Sequence, residues 1–209
     1  MGIFAQIMVE FLKTFFFLFA VIDPLGSIPV FLEATKAFDD YHKKRIAIKA
    51  CIIAGVILLF FIGAGQVIME AMEISLEAFQ ISGGVILFLF ALTMIFGGGK
   101  PEEEKSLIKD FQHVTVFPIA LPSIASPGAI MAVVLLTDND VFSVKQQLYT
   151  AALVCLVLIV TAILLLLARR VQNRLGESGI LVISKVMGLI LASFAVQSIL
   201  SGIKVYFHL

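Results

Sequence analysis

Two dipeptides carry most of the chemistry in this sequence. Asp23-Pro24 and Ser126-Pro127, 103 positions apart, each set an oxygen-bearing side chain before a proline inside an apolar run. That order is the grammar of a helix start. The side chain accepts from the first free amides, and proline takes the first helical position, where no donor is missed. A helix that begins there offers unpaired N–H groups and a partial positive charge, suited to a small anion such as a carboxylate. Carbonyls freed in the same breaks, around Ile22 and Ala125, suit an ammonium or a cation. Gly26, Ser27, Ala125, Ser126, Gly128 and Ala129 leave room only for a small ligand.

The elements that position these breaks follow from composition. The 209 residues are 60% hydrophobic, with a mean hydropathy of +1.08, against about 45–50% apolar usage in soluble domains. The chain reads as an all-α integral membrane protein with six spans, at about 11–32, 46–69, 78–99, 114–137, 146–168 and 180–203. The first span is long enough only if Asp23 lies within it. Both prolines then fall near mid-span, so the first and fourth helices are expected to be discontinuous. Short polar loops such as KAFDDYHKKR, TDND and RRVQNRLGES join the spans.

Charge sets the orientation. Twelve of the fifteen Lys and Arg flank the first, third and fifth loops, and only Lys13, Lys145 and Lys204 lie on the other side. Both termini are therefore expected outside a prokaryotic plasma or inner membrane. A shift of 103 lays Asp23-Pro24 on Ser126-Pro127, and a shift of 102 lays ISGGVILFLFA (81–91) on ISKVMGLILAS (183–193). Residues 1–99 and 114–209 thus read as two three-helix repeats, with 100–113 as a cytoplasmic linker. An odd number of crossings makes the second copy inverted. Inversion turns the two new amino ends toward each other near the membrane centre.

An acid within a span is by default a functional group. Asp23 is the expected proton-coupling residue, the plainer alternative being a cap for the Leu25 and Gly26 amides. Ser82–Gly84 and the ladder Ser184, Gly188, Ala192 read as close-packing helix faces. Cys51 and Cys155 read as small buried hydrophobes. No metal, cofactor or nucleic-acid site is expected, and no nucleophile–base set points to an enzyme.

The stretches FFFLFAVIDPLGSIPVFL, FQISGGVILFLFALTMIFG and FPIALPSIASPGAIMAVV, in this order, resemble the MarC family of integral membrane proteins over essentially the whole chain. The resemblance implies transport of small neutral amino acids, glycine and alanine among them. It points to Asp23, Pro24, Gly26 and Pro29 in the first break and to Pro127 and Gly128 in the second. The family often carries Asn or Asp at the first of these positions and usually Gly where this chain has Ser126. The combined expectation is a secondary transporter using alternating access. Its substrate site comprises Asp23, Pro24, Gly26, Ser27, Ser126, Pro127 and Gly128, and protons or sodium are the coupling ions. An exporter of other small or amphipathic compounds, a channel, and a membrane scaffold without flux are the alternatives. Oligomeric state stays open.

Overall fold

The computed structural model describes residues 2–96, 111–139 and 141–208, and those residues form helices and no strands. The helices are α1 (Gly2–Ile22), α2 (Ser27–Ala34), α3 (Asp40–Ala71), α4 (Leu76–Phe96), α5 (Phe111–Val114), α6 (Pro127–Leu135), α7 (Val144–Leu166) and α8 (Ala168–Tyr206). A wide π-type segment, Thr115–Ile124, joins α5 to α6. Five helical stretches are long and apolar enough to cross a membrane. A sixth is added if Phe111–Ile124 and Pro127–Leu135, bent by 53°, count as one span. Residues 100–110 of the expected linker, with the GGGKPEEEKS stretch, lie outside the described residues, and 111–113 belong to α5.

The long helix α3 sorts its residues by size rather than polarity. Along α3 the buried stripe is Ala47, Ala50, Cys51, Ala54, Gly55 and Leu58, while Ile48, Ile52, Val56 and Phe60 face outward. Lipid is as apolar as leucine, so helices gain by presenting small residues to each other and bulky ones to the membrane. The largest interface, between α4 and α8, follows this rule. A Cβ on Gly84 would meet the Ala195 carbonyl oxygen at 3.0 Å, and one on Gly188 would meet the Ala91 carbonyl oxygen at 3.1 Å. A Cβ on Gly202 would meet the Glu77 carbonyl oxygen at 3.2 Å. Positions rise along one helix as they fall along the other, so the pair is antiparallel. α3 packs on α7, with a Gly55 Cβ lying 3.2 Å from Leu158, and also on α6 and the π-type segment.

Three expectations change. The polar stretch RRVQNRLGES is helical up to a break at Gly176 (φ 68°). Ala168 is buried and Val171 packs on the core, while the three arginines face out, an amphipathic pattern that sustains a helix. The KAFDDYHKKR loop shortens likewise. Asp39 caps α3 by accepting from the His42 amide at 2.9 Å. That amide, and the imidazole beside it, hold the Asp39 carboxyl below its ordinary value. Cys155 is exposed, on the outward stripe of α7 with Leu156 and Ile159, whereas Cys51 is buried. In detergent solution a membrane-permeant maleimide is therefore expected to label Cys155 alone. Cys51 should react only after denaturation, as mass spectrometry of the two peptides would register.

Candidate functional site

The first break begins where α1 stops at Ile22. Asp23 takes φ 49°, a left-handed conformation that Asp and Asn tolerate better than other side-chain-bearing residues. Pro24–Gly26 then form a turn, and helix resumes at Ser27 rather than at Pro24. The Asp23 carboxylate folds back over this turn and Oδ1 accepts from the Gly26 amide at 2.9 Å. A Cβ at Gly26 would overlap the same carboxylate, so a side chain there would push Asp23 out of this position. Asp23 thus caps at Gly26, one of the two amides expected for it.

The second break is more extensive than a single elbow. Phe117 and Leu121 are extended (ψ 128° and 133°), each before a cis proline, Pro118 and Pro122. The expected helix from 114 to the break is interrupted because a residue before proline is pushed out of helical conformation, and proline donates no amide. Helix resumes at Pro127 as expected, with Ser126 Oγ accepting from the Ala129 amide at 3.1 Å.

The two breaks meet. Ser123 Oγ donates to Ser27 Oγ at 2.9 Å, and the Ser27 hydroxyl faces the Asp23 and Ser123 carbonyl oxygens at 3.1 and 3.4 Å. Ser126 Oγ makes a longer contact of 3.5 Å with the Val21 carbonyl oxygen. These bonds bridge the two halves of the sequence, and the amino ends of α2 and α6 both open onto this seam. Ser27 and Ala125 have no exposed surface, Ser123 and Ser126 have 1%, and Asp23 has 5%. Among the described residues the seam hydroxyls are thus almost wholly packed against protein. Hydroxyl bonds between membrane helices are worth about 0.6–2 kcal/mol each, enough to hold such a seam without locking it.

Of the residues expected at the site, Asp23, Pro24, Ser27 and Ser126 are buried, and Gly26 is half-buried beneath Asp23. Gly128 packs against Leu87 and Phe90 of α4, with a Cβ there reaching Leu87 at 3.1 Å. Pro127 and Pro29 face outward. The residue that sequence reasoning missed is Ser123. Its signal was a hydroxyl four positions before Pro127 in the stretch PSIASP.

These features define a polytopic helical membrane protein. The family model of the MarC family integral membrane proteins matches residues 8–207. The chain belongs to that family. Among its relatives, a "UPF0056 membrane protein" of Buchnera aphidicola subsp. Baizongia pistaciae is 30% identical over 97% of this chain and 100% of its own length. A relative of the same description from Methanocaldococcus jannaschii is 32% identical, covering 93% of this chain and 96% of its own. One from Pyrococcus abyssi is 33% identical, covering 94% and 98%. No solved structure matches the chain.

Proposed function

We propose that this protein is a secondary transporter of small neutral amino acids, of the glycine and alanine class, working by alternating access at the seam. The observation that carries this reading is the direct hydroxyl contact between Ser27 and Ser123, which joins two interrupted helices from opposite halves of the chain. Matched breaks in the two halves of a membrane protein are the best sequence pointer to a transport site. A zwitterion fits the charges around this one. The amino ends of α2 and α6 favour its carboxylate, and the carboxyl end of α1 with the Asp23 carboxylate favours its ammonium.

Two inverted three-helix repeats, with both termini outside, are part of the same reading. Its support is that the corresponding spans touch: α4 with α8, α3 with α7, and the two interrupted spans through α1 with α6 and α2 with the π-type segment. The short helices also end alike, with Thr35 Oγ1 donating to the Phe31 carbonyl at 2.6 Å and Thr137 Oγ1 to that of Val133 at 2.7 Å. A pair of repeats can rock about such an axis and open the seam first to one side and then to the other. The small residues around the seam weigh against larger amphipathic cargo.

The test is uptake of labelled alanine into proteoliposomes preloaded with unlabelled alanine. Saturable, counterflow-stimulated uptake is the expected result. Flux that does not saturate and shows no counterflow would mean a channel, and no flux from folded protein would remove the substrate class.

A further inference from the structure

We propose that Arg45 and Lys49, held on the Phe111 ring, bind the headgroup of an anionic phospholipid whose acyl chain lies along α3. This binding does not rest on the transporter reading. The Arg45 guanidinium lies 5.6 Å from the centre of the Tyr41 ring and 5.9 Å from that of Phe111. The Lys49 ammonium lies 5.0 Å from the centre of the same Phe111 ring. Phe38 and His42 stand edge-on to Phe111, at 6.5 and 5.8 Å between ring centres, and the ring also packs on the core. One well-held ring thus gathers two cations from successive turns of α3.

A ring face attracts a cation without using its hydrogen-bond donors. The donors of Arg45 and Lys49 stay available, and among the described residues no carboxylate pairs with either. The two acids of this turn are engaged elsewhere. Asp39 caps α3 through the His42 amide, and Asp40 faces Arg169 at 3.9 Å. Lys43 and Lys44 add to the positive charge at this end of α3, which the helix dipole raises further.

Charge alone would suit any anion, and the rest of the helix face selects a lipid. Residues 45, 49, 52 and 56 follow the spacing of a single helical stripe. Arg45 and Lys49 are exposed, and further along the stripe Ile52 and Val56 are 59% and 64% exposed. Val56 lies about 10–16 Å along the axis from the two cations, well inside an apolar span. Cations at the rim with an uncovered aliphatic track beyond them match a phosphate joined to an acyl chain. Snorkelling explains why a lysine near a helix end reaches water, but not why two cations share one ring. Phosphatidylcholine carries a choline cation that this pair repels, whereas phosphatidylglycerol carries only the negative phosphate.

The experiment is native mass spectrometry of the purified full-length protein, titrated with phosphatidylglycerol or with phosphatidylcholine of the same acyl chains. Phosphatidylglycerol is expected to bind more tightly by roughly tenfold or more, with one molecule per chain saturating first. Arg45→Gln combined with Lys49→Gln should weaken that binding roughly thirtyfold, or fivefold for each cation at an anionic headgroup. Phe111→Leu keeps an apolar side chain but removes the ring face, and should weaken it about two- to fivefold. Lys204→Gln, near the end of α8 and off this stripe, should leave it unchanged. Equal affinity for the two lipids, full binding in the double variant, or an equal loss in Lys204→Gln would each overturn the proposal. Displacement of the lipid by inorganic phosphate at matched concentration would assign the site to a free anion and overturn it too. Should the double variant fail to fold, the wild-type lipid comparison and Phe111→Leu decide the matter.

Discussion

Asp23→Asn is expected to cut ion-gradient-driven accumulation of alanine by roughly ten- to a hundredfold, the value of a charged hydrogen-bonding partner, while counterflow persists. The substitution separates charge from architecture. Asparagine tolerates the φ of 49°, and its Oδ1 can still accept from the Gly26 amide. The turn therefore survives, and only the acidic group is removed. Gly26→Ala makes the opposite change, since its Cβ would overlap the Asp23 carboxylate. It is expected to lose accumulation and counterflow together. An Asp23→Asn protein that accumulates alanine like the wild type would reduce Asp23 to a cap.

The α4–α8 interface yields the largest expected effect on stability. Gly84→Leu places a side chain where its Cβ alone would lie 2.6 Å from Ile199 and 3.0 Å from the Ala195 carbonyl oxygen. Backbone cannot yield as a flexible side chain does, so the helices must separate. Overpacking costs about 1–3 kcal/mol or more, and the Tm should fall by roughly 5–10 °C. Gly63→Leu is the matched control, because nothing lies within 4 Å of a Cβ there. Its Tm should stay within about 1–2 °C of wild type. Equal shifts for the two would mean that close approach at Gly84 contributes nothing.

Local grammar was legible where it was complete within a few residues. Ser126-Pro127 caps its helix as written, because cap and amide are three positions apart. Asp23-Pro24 uses the same letters differently. The aspartate turns left-handed and ends α1, and the helix it precedes begins only at Ser27. No neighbouring residue announces this choice. The tolerance of Asp and Asn for that conformation gives a physical reason for the family resemblance to allow either residue there. Pro118 and Pro122, four residues apart, carried a signal that the segment before the second break was not a plain helix. The Ser27–Ser123 bond spans 96 residues, and nothing local encodes it. Cys155 shows a different limit. In a span where lipid and core are equally apolar, hydropathy does not say which face is inward.

The close packing of the seam matters most when the protein is idle. Water threading two hydroxyls would form a wire for protons, and an energised membrane would discharge through it. Ser27 has no exposed surface and Ser123 has 1%, so among the described residues these two hydroxyls are packed against protein rather than water. On the transporter reading, a cell could then carry many resting copies and keep its electrochemical gradient intact.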